Sequence, residues 1–357
     1  MAFIAHNRRL KQFINHIDNA LQKADTPQAL IAVVEEAKSF EGNLAFDQRD
    51  FYLYFTLDFL LLIGSTLFYQ RTGEGFALFL SFLSIFIAFI LGQRFFARRK
   101  LLDNLSAKIF YQDFLFDNEL TVDHSEYYQL PALLTRLSDF NRGNHSRELR
   151  ECLRGYYQGQ QLTFTYHYYH LHYVDQRTVE KRGNDGEMSQ ETVLEHFDRY
   201  GLILNLQSMS TMTQIAPIVI AANKRLIGLN EGDYAPASLN FRKTLIVYSQ
   251  TPQQAARFLT PTTVEQLEYF AKHYQKIALE VNEEQELCFS FDDNDLLKVP
   301  QQYDLSNPGQ FIAELSGKST ALKLERTLKD LETILCENDH NFNVIDPSQA
   351  NDSSTQS

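Results

Sequence analysis

The chain has no tryptophan and only three cysteines, Cys152, Cys288 and Cys336, far apart and without a CxxC pair. A disulfide framework is excluded, and the three read as ordinary thiols of a reducing compartment. Also missing are GxSxG, a P-loop, GxGxxG after a strand and HExxH. No catalytic serine, cysteine or histidine can be nominated, and neither a cofactor nor a metal is expected. Basic charge is scarce where the chain is longest. The first 100 residues carry 11 Lys/Arg and 9 Asp/Glu, and the remainder carries 22 and 36. So acidic a region is a poor general binder of nucleic acid, whose phosphates demand a basic face.

What is present is apolar and aromatic. Hydrophobic residues make up 44 % of the 357, with 28 Phe and 18 Tyr. Two runs stand out, Phe51 to Tyr69 and Phe76 to Gly92. Each approaches the roughly 20 residues that cross a bilayer core. Only Gln70 to Gly75 separate them, so they form an antiparallel hairpin. Phe51, Tyr52, Tyr54, Phe68, Tyr69, Phe95 and Phe96 mark its ends as interfacial rings do. The turn carries Arg71 alone. The flanks carry Lys38 and Arg49 on one side and Arg94, Arg98, Arg99, Lys100 and Lys108 on the other. Positive flanks place both termini in the cytoplasm, with the first span as its own insertion signal.

Within the first run lies one carboxylate, Asp58, about seven residues or roughly 10 Å inside the span. A charge there costs at least about 2.5–3.5 kcal/mol. Counting back from the turn brings Ser84 level with it. A protonated Asp58 bonded to the Ser84 hydroxyl would clamp the hairpin, and a proton- or ion-linked role is the alternative.

Before the hairpin, Leu10, Phe13, Ile14, Ile17 and Leu21 repeat at helical spacing. Thr26-Pro27 then caps a second helix with Leu30, Val33, Val34 and Ala37. These amphipathic helices, Phe3 to Lys23 and Pro27 to Phe40, fit either packing within the protein or, given Arg8, Arg9 and Lys11, the membrane surface. After the hairpin the pattern predicts a helical connector over 94–157, including a short helix from Ser146 to Tyr157. On that helix Arg147, Arg150 and Arg154 share a face and, with Arg136 and Arg142, offer a patch for anionic lipid.

Strands follow within 158–302: Leu162 to Val174, Val193 to Gln207, Ile215 to Ala222 and Lys243 to Ser249. A hairpin of Lys276 to Val281 and Glu286 to Phe291 completes them. Thr251-Pro252 and Thr260-Pro261 start helices. His167 faces one side of its strand, and His170 and His172 the other. Two of these would need a third ligand to hold a metal, so they read as histidines of a half-buried aromatic strand. Asp292, Asp293 and Asp295 lack the Gly and Glu of a calcium loop. Helices are expected over 303–337, broken near Ser316-Gly317, with a short seam of Leu324, Leu328, Leu331 and Leu335. A polar, disordered tail is expected from Asn338.

The stretch Phe241-Arg242-Lys243-Thr244-Leu245-Ile246-Val247-Tyr248-Ser249, followed by Ala255-Ala256-Arg257-Phe258-Leu259-Thr260-Pro261, resembles an uncharacterised family of bacterial two-span membrane proteins, known as a domain of unknown function. The resemblance spans roughly residues 50 to 300 and includes the Gln158-Gly159 lead into the aromatic strand. It departs at Gln250, where many relatives are acidic. It implies a bacterial inner-membrane protein and no activity.

The expectation is therefore an α+β membrane protein with a mainly antiparallel sheet and packed helices. It is a membrane-anchored cytoplasmic scaffold whose partner is an unknown membrane or cytoplasmic protein, or a second copy of the chain. A channel or transporter accessory using Asp58 is the runner-up, and an enzyme with an unrecognised site the third.

Overall fold

The Thr26-Pro27 pair does what its sequence asks. Thr26 Oγ1 accepts the Ala29 N–H at 3.2 Å, and Pro27, whose missing N–H costs nothing in a first turn, opens the second helix. In the computed structural model, which describes residues 2–182, 188–209, 215–222, 234–292 and 296–342, the helices are α1 (Ala2–Leu21), α2 (Pro27–Lys38), α3 (Arg49–Thr72), α4 (Gly75–Asp117), α5 (Leu130–Arg136), α6 (Leu239–Thr244), α7 (Pro252–Phe258), α8 (Pro261–His273), α9 (Pro308–Leu315) and α10 (Leu322–Phe342). The strands are β1 (Thr121–Val122), β2 (Ser146–Gln158), β3 (Thr163–Arg182), β4 (Met188–Asn205), β5 (Ile218–Ala221), β6 (Ile246–Ser249), β7 (Ala278–Val281) and β8 (Glu286–Phe291). They divide between two units, Met1–Asn118 with Val299–Thr320, and Glu119–Lys298 with Ala321–Ser357.

In the first unit, α3 and α4 form the apolar hairpin. Gly73 turns it in the left-handed conformation (φ 68°), which glycine adopts without strain, and its N–H closes α3 on the Tyr69 carbonyl at 2.8 Å. α4 continues unbroken for 43 residues, roughly 64 Å at 1.5 Å per residue, twice a bilayer core of about 30 Å. Its far half supplies Leu102, Leu105, Ile109 and Phe110 to a core with the apolar stripes of α1 and α2 and with Phe311 and Leu315 of α9.

α1 stands upright along α4. Asn7 makes two 2.8 Å bonds with the backbone of Asp47, just before α3. Asp18 pairs with Lys108 at 2.8 Å, and the Ala24 carbonyl receives Gln112. The stripes of α1 and α2 are thus covered by α4 and α9. The seam of Leu324, Leu328, Leu331 and Leu335 is buried in the other unit, where α10 meets α7 and α8.

The second unit is α+β, built on one eight-stranded sheet in the order β1-β2-β3-β4-β8-β7-β5-β6, all antiparallel. One face packs Tyr169, Leu171, Ile203 and Cys288 beneath Tyr128, Leu133, Leu137 and Phe140. The other sets Phe289 and Phe291 against Phe270 and Tyr274 of and beside α8, with ring centroids 4.5 and 4.6 Å apart. Glu332 of α10 accepts the N–H groups of Gln161 and Leu162 and the Tyr157 hydroxyl at 2.7–3.0 Å. Its carboxylate fills the space a Cβ at Gly159 would occupy.

Three expectations need correction. The segment Ser146 to Tyr157 is β2, not a helix, so the connector is helical to Asp117 and again in the short α5 but not beyond. A bulge between Leu149 and Glu151 inserts Arg150 and puts Leu149 and Cys152, three apart, on the same face. That spacing imitates a helix. Lys243 lies in α6, and the strand after it starts at Ile246. The sheet unit reaches beyond 158–302 at both ends, because residues 126–141 and α10 cover its two faces. Of the polar tail, α10 runs through Asn338 to Phe342, and 343–357 lie outside the described residues, as do Asp293 and Asp295.

One carboxylate in the first unit is poorly placed. Asp113 of α4 is 1 % exposed, and its Oδ2 has no hydrogen-bond partner among the described residues. Burial first, then the charges of Asp117 and Glu314, push its pKa up from 3.8 to about 7. Those two carboxylates hold backbone N–H groups of Ser319, and of Gln302 and Tyr303. Since the folded chain keeps the Asp113 proton longer than the unfolded chain, stability is full below about pH 4 and falls as pH rises towards 7. Asp113→Asn should therefore raise the melting temperature of the purified protein at pH 8, by the equivalent of about 2–4 kcal/mol, and change it little at pH 4.5. Equal shifts at both pH values would remove the buried-charge explanation.

Candidate functional site

Helical spacing decides which side chains of the hairpin meet. The less exposed positions of α3 are Phe51, Phe55, Asp58, Leu62 and Ser65, at alternating intervals of four and three. Those of α4 include Ala77, Ser81, Ser84, Ala88, Leu91, Phe95 and Arg98, at the same intervals. This is a heptad seam, with small residues on α4 that let the two backbones approach.

Three polar contacts bridge it. Ser84 Oγ donates to Asp58 Oδ1 at 2.9 Å and lies 3.0 Å from the Asp58 carbonyl. Ser65 and Ser81 share a hydroxyl hydrogen bond of 2.8 Å. At the open end Arg98 pairs with Asp50 at 2.6 Å and stacks over the Phe51 ring at 4.5 Å. The sequence places Asp58 opposite Ser84, and the structure brings them together. It also yields two bridges that sequence reasoning missed. Their signal was the seven-residue spacing of Phe51, Asp58 and Ser65, which breaks an otherwise uniform apolar run. Beside Asp58 an open groove of about 370 Å³ is lined by Tyr52, Phe55, Thr56, Phe59, Leu62 and Ala88.

The proposed arginine patch does not form. On β2, Arg147 and Arg154 lie on the sheet face of Tyr173 and His167. The bulged Arg150 instead reaches Asp198 at 3.1 Å, beside His170 and His172. Arg147 donates to the carbonyls of Arg142 and Gly143. Arg136 stacks on Tyr127 at 3.5 Å and pairs with Glu286, and Arg142 pairs with Asp139 at 2.6 Å. Arg147, Arg150 and Arg154 therefore do not share one face.

The histidines divide between the faces as strand alternation requires. His167 bonds Asp123 at 2.8 Å and stacks on Tyr128 at 3.5 Å. Burial lowers its pKa despite that carboxylate. On the other face His170 and His172 both bond Asp198 Oδ1, at 2.8 and 2.9 Å, and His172 meets His196 at 3.2 Å. Although burial works against it, those hydrogen bonds and Arg150 hold the Asp198 carboxyl below its usual range. Among the described residues no three His, Cys, Asp or Glu side chains are placed to hold a metal ion.

Two further features of the sheet unit concern its build and its surface. Arg199, fully buried, bonds Asp139, Asp292, Ser290 and the Lys276 carbonyl at 2.7–3.0 Å. Burial opposes charge on Asp139, but Arg142 and Arg199 outweigh it and hold the carboxyl far below its usual range. The network fastens residues 138–141 to the sheet. At the β5–β6–β7 end, a cleft of about 670 Å³ is lined by Tyr248, Ser249 and Gln250 together with Arg136, Glu280 and Asn282. Burial raises the Glu280 pKa, and Ser138 donates to it through N–H and hydroxyl.

No family model, no curated protein and no solved structure matches the chain.

The seam gives a direct test. A Ser65→Cys/Ser81→Cys pair should crosslink within the chain on mild oxidation. Asp58→Asn should preserve that yield and the protein's abundance, since Asn keeps a hydrogen-bonding side chain. Ser84→Leu should lower the yield severalfold, by forcing a large side chain into a fully buried position. If instead Asp58→Asn leaves abundance and crosslinking intact but abolishes an ion flux or a cellular phenotype, the clamp account of Asp58 is insufficient.

Proposed function

We propose that the chain is a two-span membrane protein whose α3–α4 hairpin anchors a cytoplasmic α+β unit that binds a partner protein as a scaffold. The observation that carries the membrane part is how little of the hairpin is covered. The most apolar stretches of α3 and α4 have mean hydropathies of 1.7 and 2.4, yet only 11 % of each is buried. The core helix of a water-soluble protein is covered by its neighbours. Here Phe59, Phe82, Phe86 and Phe89 stand 59–66 % exposed, which water penalises and hydrocarbon does not. Arg71 in the turn, against seven Lys and Arg on the flanks, supports a cytoplasmic location for both ends. The bacterial inner membrane rests on the sequence resemblance.

Support for partner binding comes from the β3–β4 hairpin. Beyond Val174 β2 has ended, and beyond Tyr200 β8 has ended, while β3 and β4 pair on to Arg182 and Met188. Residues 175–182 and 188–195 thus form a two-stranded ribbon, roughly 27 Å long. Arg177–Glu195 and Lys181–Glu191 ion pairs brace it. Its two outer edges offer backbone groups for strand addition, a common mode of protein recognition. The groove at Asp58 favours the second reading, a channel or transporter accessory, but the Ser84 hydrogen bond there fits a clamp.

Two experiments follow. Periplasmic-reporter fusions after Thr72 should be active and fusions after Phe110 inactive, and alkaline carbonate should leave the chain in the membrane pellet. The reverse fusion pattern would exchange the compartments, and release by carbonate would remove the anchor. A photocrosslinking residue at Thr178 or Thr192 should capture a discrete protein in intact cells. Crosslinks no more frequent than those from an exposed site on α8, such as Glu265, would count against the ribbon as the docking element.

A further inference from the structure

We propose that α1 carries a binding site for the phosphate headgroups of anionic phospholipids, formed by Arg8, Arg9 and Lys11 with Arg49 and Arg94 of the hairpin. The inference rests on the membrane reading above and adds which lipid class the anchor selects and which residues select it.

The height of α1 is fixed by contacts at the base of the hairpin. The paired hydrogen bonds between Asn7 and Asp47 place the second turn of α1 two residues before α3 begins. The Asp50–Arg98 pair sets the same height on α4. Further along, Asp18 meets Lys108 and Ala24 meets Gln112. From the Asn7 level to Asp18 is 11 residues of α1, and from Arg98 to Lys108 is 10 of α4, about 15–16 Å in each case. α1 therefore descends beside α4 with its N-terminal turns at the level where the apolar spans end. With the spans in a bilayer, that level is the headgroup layer.

The side chains there are arranged for phosphate. Leu10 and Ile14 turn inward and are buried. Ile4, Arg8 and Lys11, at i, i+4 and i+7, share the outward face, with Arg9 alongside. Arg8, Arg9, Lys11 and Arg94 are exposed and have no ion-pair partner among the described residues. Arg49, its side chain 83 % exposed, has only a long 3.9 Å approach to Asp47. Basic residues committed to carboxylates are Arg98, on the hairpin seam, and Lys108, about 15 Å farther from the spans. The exposed carboxylate of the 39–48 loop is Glu41. Uncompensated positive charge thus collects at the headgroup level, with Ile4, 49 % exposed, as an apolar contact one turn earlier. Guanidinium groups bind phosphate oxygens through two parallel hydrogen bonds, and long basic side chains reach from apolar surroundings to the polar boundary. A chain of net charge −12 would repel a soluble polyanion at long range. A phospholipid is brought to the site by the spans themselves.

The test uses the full chain in a nonionic detergent, titrated with phosphatidylglycerol and, separately, with phosphatidylcholine, and read by native mass spectrometry of lipid adducts. Phosphatidylglycerol should bind preferentially. Each basic residue near a membrane surface contributes roughly fivefold to affinity. The Arg8→Gln/Arg9→Gln/Lys11→Gln variant should therefore lose on the order of a hundredfold and approach phosphatidylcholine. Arg8→Lys/Arg9→Lys should retain most of the preference, which a loss of folding would not permit. Equal binding of the two lipids, or an undiminished preference in the triple variant, would overturn the proposal. If carbonate leaves the chain in the pellet, such a result removes the lipid site alone. Release by carbonate removes the anchor and the site together.

Discussion

The Asp58–Ser84 hydrogen bond fixes how the two most apolar helices of this protein meet. A carboxyl group in an apolar helix has to find a donor or acceptor, and only a small facing residue lets one reach it. Ser84 is that residue, and Ser81, Ala77 and Ala88 keep the rest of the seam narrow. The same register brings Ser65 to Ser81 and Asp50 to Arg98. Because α4 runs on without a break, the register also sets where Leu102, Leu105, Ile109 and Phe110 stand. The stripes of α1 and α2 pack on those four. A slip of one residue in the seam would rotate the whole helical base by about 100°.

The sheet unit is held by a different device. Its two faces need separate covers, and the covers come from distant parts of the sequence, 126–141 on one side and α8 with α10 on the other. Arg199 joins the first cover to the strands through Asp139. It also ties in Ser290 and Asp292, so that one guanidinium fixes three segments. Such a cluster is stable only as a complete set, since removing one partner leaves a charge buried alone. Glu332 does the same for the second cover, holding α10 to the β2–β3 turn.

What sequence could reveal follows the range of the interactions. The starts of α2, α7 and α8 were legible because Thr-Pro caps act within three residues. The hairpin was legible from run length, and Asp58 against Ser84 from counting back through a short turn. β2 was not, because a single bulged residue, Arg150, gave its apolar positions a helical spacing, and the expected arginine face dissolved with the helix. The buried Arg199 left no local trace, since its partners Asp139 and Asp292 lie 60 and 93 residues away. What covers α1 and α10 was not legible for the same reason. An apolar stripe announces that something packs on it and not what does.

The path of the chain between the two units has a further meaning. It leaves the helical unit after Asn118, returns at Val299 and leaves again after Thr320. The two units therefore alternate along the chain and are tied by three peptide connections. A cut after Asn118 severs the covalent chain, yet the 299–320 segment, packed with α1, α2 and α4, keeps the sheet unit attached through the remaining two connections. Separating the two units while both stay folded takes three separate cleavages, so a single nick would go unnoticed until the fragments were denatured.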